Sequence, residues 1–596
     1  SRGLEVLIGD GQRELRLRFF YFYKAQQRAI EDGPHIRAFG SVSFIGRHLA
    51  MAHPEYQVFD APPGPPKPEL IPVYPTTQGL GQARLRNLTK ALQRLDWPKA
   101  PGTPFEKLLY LHRPDDLARA EEISEALALD ELCAYYVVMK RRALKRRKQQ
   151  AVALPQKDGL GRTLRDNLAF ELTDAQRRVI RETLTDLEND VPMLRLVQGD
   201  VGSGKTIVAA FAAIRAIEHG CQTAVMAPTE LLAEQHQLNF QQWLEPLGIQ
   251  VALLTGQMTA KSQRETLQRI ASGEVQVIIG THALFQDKVI FHKLALAIID
   301  EQHRFGVHQR MALQHKGAYP HQLVMTATPI PRTLTMTLYA DMDVSVIDEL
   351  PKGRQPITTH TAAQPKRPEL IERLRKILAQ GQQAYWVCTL IEPSEEIEAL
   401  SAEEAFDLLR RELPEFRVAL LHGRMKGDEK VEVMRAFKAG EYQLLVATTV
   451  VEVGVDVPNA TQMFIENAER LGLAQLHQLR GRVGRGSKAS RCFLLFKPGV
   501  SQAGQHRLNA LRQSQDGFYL AEQDLKLRGP GDILGTRQSG EQSFKIADLS
   551  EHAHLMPRVV QRCETMMNAA PASDDGIYLN GLLNTWAASD NAHLSV

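Results

Sequence analysis

Cysteine is scarce and scattered: the five residues, at 133, 221, 388, 492 and 563 of a 596-residue chain, form no CxxC pair. That spacing argues against a zinc site or a disulfide framework and fits a reducing cytoplasm. Long apolar runs are missing too. No uninterrupted stretch approaches the ~20 residues of a membrane-spanning helix, and no basic-then-apolar leader opens the chain. Neither sign of charge is in excess, with 72 Lys and Arg against 69 Asp and Glu, for a formal net charge of +3. A polyanionic partner is neither demanded nor excluded by that total, so any nucleic-acid reading must rest on local clusters. An initiator Met is absent as well: Ser1-Arg2-Gly3 leads straight into strand-like alternation, so the chain reads as starting inside a longer protein.

What is present suits a soluble globular protein of several cores, with 43% hydrophobic and 24% charged residues and a length that allows roughly three to five domains. The first segment alternates as short strands, Leu4–Ile8, Leu15–Phe19 and His35–Phe39, separated by Gly9-Asp10-Gly11 and Asp32-Gly33-Pro34. This predicts a small all-β module, a barrel or a sandwich, over residues 1–61. The run Pro62-Pro63-Gly64-Pro65-Pro66 marks its boundary. Apolar residues three or four apart then predict helices from Gly79 to about Lys148, within a linker and helical connector over 62–165. From Phe170 to about Phe496 short apolar runs alternate with helical stretches, which predicts parallel sheets covered by helices. The pattern restarts after Gly353-Arg354-Gln355-Pro356, so two α/β lobes are expected, over 166–350 and 351–500. Residues 501–596 read as helical, with a glycine-rich interruption from Gly529 to Gly540.

Three motifs carry chemistry. Gly199-Asp200-Val201-Gly202-Ser203-Gly204-Lys205-Thr206 fits G-x-x-x-x-G-K-[ST] and lies between an apolar strand and a helical stretch, the context that a phosphate-binding loop requires. Its glycines let backbone N–H groups approach phosphates at a helix N-terminus. Lys205 is expected to reach the β- and γ-phosphates of ATP, and Thr206 to offer its hydroxyl to Mg²⁺. Ala297-Ile298-Ile299-Asp300-Glu301-Gln302-His303 ends a strand in two carboxylates. Asp300 is placed to hold the metal, and Glu301 to polarise the attacking water. Alone, an Asp-Glu pair is ordinarily surface charge; downstream of the phosphate loop it reads as its partner. In Gln478-Leu479-Arg480-Gly481-Arg482-Val483-Gly484-Arg485-Gly486, Arg482 and Arg485 are three apart, which predicts one helical face presenting two guanidiniums to a γ-phosphate across a cleft. Alone, such a run equally suits a flexible RNA-binding patch.

Together these residues resemble the superfamily 2 helicases, in which two RecA-like lobes clamp ATP. Phe170 and Leu172-Thr173-Asp174-Ala175-Gln176 resemble the adenine-sensing motif, with Gln176 as its base reader. Ala227-Pro228-Thr229-Glu230, Thr255-Gly256 and Gly280-Thr281-His282 resemble the DNA-gripping motifs that follow, with Thr229 and Thr281 as contacts. Thr326-Ala327-Thr328-Pro329 resembles the coupling motif III, through Thr326 and Thr328. In the second lobe His422-Gly423-Arg424-Met425 and Ala447–Asp456 resemble motifs IV and V, with Gly454 and Asp456 at the nucleotide.

Within that superfamily, Ile330-Pro331-Arg332-Thr333 and the tail from Gly517 to Asp532 resemble both the RecG family and the transcription-repair coupling factors, and Gly531–Gly540 and Tyr74-Pro75-Thr76-Thr77-Gln78-Gly79-Leu80 are similar to the RecG family in particular. The resemblance implies an oligonucleotide-binding-type wedge ahead of the two lobes, with Phe19 and Phe20 near the bases, and a helical hairpin and loop behind them, with Arg537 and Gln538 coupling ATP turnover to movement. It further implies a 3′–5′ ATP-dependent helicase acting on replication forks, Holliday junctions, D-loops and R-loops in DNA recombination and repair. Such a protein would be a monomer in the bacterial cytoplasm, at the nucleoid, without membrane contact. Binding to single-strand DNA-binding protein is a family expectation that no motif here carries. Lys140-Arg141-Arg142-Ala143-Leu144-Lys145-Arg146-Arg147-Lys148 suits either a phosphate-tracking face or a solvated helix end. The rival readings are a duplex translocase of the transcription-repair coupling type and a non-catalytic junction scaffold. Against the first stands the lack of a recognisable polymerase-binding module; against the second stand Lys205, Asp300, Glu301, Arg482 and Arg485.

Overall fold

A computed structural model describes residues 3–11, 13–45, 48–65, 70–77, 80–97, 101, 103–157, 159–256, 258–301, 319–327, 329–331, 335, 340–351, 355–389, 395–449, 456–486, 488–528 and 544–587. The chain divides into two compact units, residues 1–95 with 109–121, and residues 96–108 with 122–596.

In the first unit β1 (Leu4–Gly9), β2 (Glu14–Phe19), β5 (His48–Ala52) and β4 (Val42–Ile45) form a four-stranded sheet in the order β1-β2-β5-β4, and β3 (His35–Phe39) pairs with β6 (Glu55–Phe59). β1 and β2 are antiparallel, with Val6 opposite Leu17, so alternate residues share a face. Leu17, Phe19 and Met51 are the buried centre of this module. Strand alternation had suggested strands alone here; a helix, Lys24–Asp32, also intervenes. Its amphipathic pattern is short and lies directly behind the aromatic run, which masks it.

The second unit contains two parallel sheets. The first has seven strands in the order β13 (Asp343–Ile347), β7 (Leu194–Gly199), β12 (His321–Thr326), β11 (Leu294–Asp300), β8 (Gln222–Met226), β10 (Val277–Gly280) and β9 (Val251–Leu254), every pair parallel. The central strands are buried on both faces, which explains why their sequences are unbroken apolar runs. Helices Asp174–Leu187, Lys205–Glu218 and Glu230–Leu244 contribute to the core, through Val179, Ile207, Phe211 and Phe240 among others. The second sheet has six parallel strands in the order β14 (Ile357–Ala363), β19 (Ser490–Phe496), β18 (Ala460–Ile465), β15 (Gln383–Val387), β17 (Leu444–Ala447) and β16 (Val418–Leu421). Trp386, Phe464 and Phe493 stack in succession on one of its faces.

Behind the second sheet come helices Gln502–Gln513, Gly517–Arg528, Met556–Asn568 and Asp574–Trp586. The last two pack with Leu132, Val137 and neighbours in the long helix Leu117–Arg146 to form a separate core. Two adjacent carboxylates of that helix are buried in this core and fully engaged. Asp130 takes Lys107 Nζ and the Tyr578 hydroxyl, each at 2.7 Å, while Glu131 accepts the backbone N–H groups of Lys545, Ile546 and Ala547 at 2.7–2.8 Å. Among the described residues no helix is long and apolar enough to cross a membrane, and all five cysteines are buried with free thiols.

Candidate active site

An open parallel sheet gathers ligands at the carboxyl ends of its strands, and there the first lobe presents its polar residues. β7 ends at Gly199, and the loop 200–204 turns through Gly202 and Gly204, both with positive φ, into the helix Lys205–Glu218. A side chain at Gly204 would collide with Gln176 Nε2. Lys205 is buried and donates to the carbonyls of Gly199, 2.9 Å, and Asp200, 3.0 Å. Burial pushes its ammonium down, against the pull of Glu301, Asp300 and Asp200. Thr206 follows, half-buried, in the first turn of the helix. The Ser203 hydroxyl is buried without a protein partner.

Gln176 completes the loop from behind. Thr173 caps the helix Asp174–Leu187, accepting from Gln176 N, while Gln176 Oε1 accepts from Thr173 N and its Nε2 donates to Ser203 O at 2.8 Å. The same amide is thus a capping-box member and a prop beneath the phosphate loop.

Asp300 ends β11, and Glu301 follows with φ 52°, a left-handed conformation uncommon for a non-glycine residue. Asp300 Oδ1 accepts from Glu301 N at 3.1 Å, and Oδ2 lies 2.8 Å from His236 Nε2. Although burial opposes ionisation, the His236 hydrogen bond and Lys205 hold the Asp300 carboxyl below its usual range. Burial and the neighbouring Asp300 push Glu301 up to about 7, while Lys205, Arg482 and the Ala327 N–H oppose the shift. Two adjacent carboxylates driven apart in this way are suited to different tasks. His236 escaped the sequence reading. The signal was its place in an apolar stripe with Ala233, Phe240 and Leu244, all buried faces of the helix Glu230–Leu244.

The second lobe meets this site through the helix Leu473–Arg480 and the turn after it. Here the expectation of one helical face is corrected: the helix ends at Arg480, and Arg482 and Arg485 lie in the following turn, where Gly484 has φ 76°. Glycines at 481 and 484 stop the helix and let the turn come close; a Cβ on Gly481 would sit 2.9 Å from Val201 Cβ of the phosphate loop. Arg482 bears on Glu301 and Arg485 on Lys205 electrostatically, so both guanidiniums act toward the first lobe. Arg485 is ion-paired with Asp456 and donates to Gly481 O at 3.2 Å. His477 Nε2 reaches Asp200 Oδ1 at 2.5 Å, a direct bond between the lobes.

The remaining expected residues are spread out. Thr229 caps the helix Glu230–Leu244 through Leu232 N, Thr281 is buried just past β10 with its hydroxyl unpartnered, and Thr326 is buried at the end of β12. In the first unit, Phe19 is 3% exposed and packs edge-on against Tyr56 and His53, whereas Phe20 is 53% exposed beneath the Arg18 guanidinium. This corrects the expectation for Phe19: β2 ends at that residue with its ring turned inward, and the exposed aromatics of the run Phe19–Tyr23 include Phe20, Tyr21 and Tyr23. Thr328, Gly454, Arg537 and Gln538 lie outside the described residues.

The donor set fits a nucleoside triphosphate with a divalent cation: a loop without Cβ atoms at Gly202 and Gly204, an unpartnered buried hydroxyl at Ser203, a lysine and two carboxylates on one sheet edge, and two arginines from a second lobe. Two parallel-sheet lobes arranged about such a set define an ATP-driven helicase motor. Residues 173–337 match the DEAD/DEAH box helicase family, 369–487 the helicase conserved C-terminal domain, and 514–579 the C-terminal part of domain 3 of the ATP-dependent DNA helicase RecG. The chain is 52% identical over 583 residues to ATP-dependent DNA helicase RecG of Escherichia coli O157:H7, covering 94% of this chain and 84% of that protein. It is 48% identical to the Haemophilus influenzae RecG, covering 95% and 86%, and 40% identical to that of Aquifex aeolicus, covering 92% and 73%. A solved structure of RecG bound to a three-way DNA junction superposes with a TM-score of 0.68 at 35% identity, covering 93% of this chain and 75% of that one. The chain belongs to the RecG family of ATP-dependent DNA helicases.

Proposed function

We propose that this helicase remodels branched DNA, reversing stalled forks, migrating Holliday junctions and unwinding D-loops and R-loops. The observation that carries the reading is the convergence of Lys205, Asp300 and Glu301 with the Arg482 and Arg485 charges of the second lobe, in a chain so similar to RecG proteins. Lys205, with the backbone of Gly199–Gly204, binds the β- and γ-phosphates of ATP; Gln176 props the loop and faces the base; Gly454 and Asp456 complete the site from the second lobe. Thr206 and Asp300 hold Mg²⁺, which neutralises phosphate charge when bound. Glu301 accepts the proton of the attacking water, and its raised proton affinity suits that task. Arg482 and Arg485 stabilise the charge developing on the transferred phosphoryl group.

Residues 1–61 serve as the wedge, with exposed Phe20 stacking on a base. Residues 62–165 connect it to lobes 166–350 and 351–500, and 501–596 form the translocation element, with Arg537 and Gln538 as coupling residues. Thr229, Thr281, Thr326 and Thr328 line the DNA path. The protein works as a monomer at the bacterial nucleoid in the cytoplasm, with single-strand DNA-binding protein as a further partner. The test is ATP hydrolysis with forks, Holliday junctions, linear duplex, single strands and RNA side by side, scoring strand products in the same reactions. Branched DNA stimulating turnover and being unwound supports the proposal; equal stimulation by plain duplex without unwinding overturns it. Lys205→Ala or Arg485→Ala should abolish turnover while fork binding persists.

A further inference from the structure

A chain of hydrogen bonds runs from the phosphate loop, through the second lobe, into the C-terminal helices. It begins at Asp200, whose backbone carbonyl accepts from Lys205 and whose carboxylate accepts from Val201 N at 2.6 Å and from His477 Nε2 at 2.5 Å. His477 Nδ1 is 2.9 Å from an Arg480 guanidinium nitrogen. A guanidinium only donates, so Nδ1 accepts, Nε2 carries the ring proton, and the imidazole can donate to Asp200. Arg480 also donates to Leu511 O and Ser514 O, each at 2.8 Å. These carbonyls close the helix Gln502–Gln513, whose C-terminal end favours a cation. All three relay residues are largely buried, so each bond is shielded from water.

The next helix, Gly517–Arg528, packs against the same relay from a second side. Asp524 accepts from Leu473 N at 3.0 Å and so caps the helix that bears His477. At its other end Gly517 has no room for a side chain: a Cβ would lie 2.6 Å from Pro329 Cγ, 2.9 Å from His477 Nε2 and 3.4 Å from Asp200 Oδ2. Helix N-terminus, histidine, phosphate-loop aspartate and motif III proline therefore meet at one point, and movement of any one of them disturbs the others.

From this we infer that Asp200, His477 and Arg480 are positioning residues that link the conformation of the phosphate loop to the helices Gln502–Gln513 and Gly517–Arg528, with Gly517 as the contact through which those helices read it. None of the last three carries a role in the nucleotide chemistry described above. The hydrogen bond from His477, with Val201 N and Lys205, outweighs burial and keeps Asp200 below the usual carboxylate range, so the acceptor end of the relay is ionised at neutral pH. The inference rests on ATP turnover at the phosphate loop driving DNA movement, and its test separates the two.

The quantity to measure is strand product formed per ATP hydrolysed on a model fork, with full-length protein. Gly517→Ala is the main probe, because alanine favours the helix yet wedges the junction apart and removes none of the bonding groups. It should lower product per ATP at least fivefold with ATP turnover retained. His477→Phe should do the same, and His477→Gln, which keeps a donor, should restore most of the yield. Adding Arg480→Met to His477→Phe should lower the ratio less than twofold further, since one relay is already broken. Unchanged product per ATP in Gly517→Ala and His477→Phe would overturn the relay, as would turnover and unwinding falling in step. A parent enzyme that hydrolyses ATP without unwinding any fork would instead sink the proposed function.

Discussion

His236 Nε2 lies 2.8 Å from Asp300 Oδ2 in a buried setting, and Nδ1 of the same ring has no protein partner. The carboxylate fixes the ring proton on Nε2, and the ring in turn fixes the carboxylate. Hydrogen bonds of this kind orient metal-binding carboxylates, and losing them costs about 10- to 100-fold in metal affinity or activity. His236→Ala should therefore raise the Mg²⁺ concentration for half-maximal, DNA-saturated ATP turnover by about tenfold or more, and His236→Gln should recover part of the loss. An unaltered Mg²⁺ requirement would reduce His236 to core packing.

Glu301 ties stability to pH. Its carboxyl is raised from the ordinary 4.5 to about 7 in the folded protein, by burial and by Asp300. A raised group stabilises the fold fully below its unfolded value, and that stabilisation is lost as pH rises through the folded value. Glu301→Gln removes the titration, so the variant should gain on the parent between about pH 5 and pH 8, by on the order of 1–3 kcal/mol. Nucleotide-free melting at both pH values checks this. A constant difference between the two proteins would show that Glu301 titrates normally.

Phe19 and Phe20 are adjacent but face different surroundings, so their alanine variants should fail differently. Phe19→Ala opens a cavity in the small core with Leu17 and Met51 and should weaken residues 1–61 by about 3–5 kcal/mol. Phe20→Ala should leave that module intact and weaken fork binding by about 1–3 kcal/mol if the ring stacks on a base. Amide exchange over 1–61 and fork affinity, measured on both variants, separate the effects; full fork affinity in Phe20→Ala removes the stacking role.

Glu131 gathers three backbone N–H groups of the 545–547 segment. Glu131→Ala strands those donors beside a buried helix and should lower the opening free energy of these amides by on the order of 3 kcal/mol. Glu131→Gln, keeping one acceptor oxygen, should fall between. Hydrogen exchange at Ile546 and Ala547 reports it directly, and protection at parent level in Glu131→Ala would mean that the segment is held by packing alone.

Much of the motor was readable because its chemistry requires particular residues at particular spacings. A phosphate loop needs Gly202, Gly204 and Lys205 between a strand and a helix, and a buried parallel strand must be an apolar run, as Leu294–Asp300 is until its last residue. Less readable were features set by distant partners. Arg482 and Arg485 looked helical from spacing alone, but Gly481 and Gly484 end the helix, and close contact with Val201 rather than helix propensity decides the backbone there. Family resemblance alone places Phe19 near the bases; in β2 it lies on the buried side with Leu17, and the sequence offers no local signal for which face of that strand is the core. Asp200 meets the helix of His477 and Arg480 only once two segments 277 residues apart have folded together, and no local pattern announces that.

The core shared by the Leu117–Arg146 helix and the C-terminal helices has a consequence for synthesis. Cys133 and Cys563 touch across 430 residues of sequence. At about 5–20 residues per second, a ribosome needs roughly 20 to 90 seconds to make the partner that covers Leu132 and Val137. Through that interval the apolar stretch 127–139 of this helix waits for its C-terminal partners while the residues of both motor lobes emerge behind it. Transiently bare apolar surface of this kind is prone to aggregate, and a stop codon a few dozen residues early would remove the C-terminal partners of Leu132 and Val137 while leaving every residue of the ATP site in the chain.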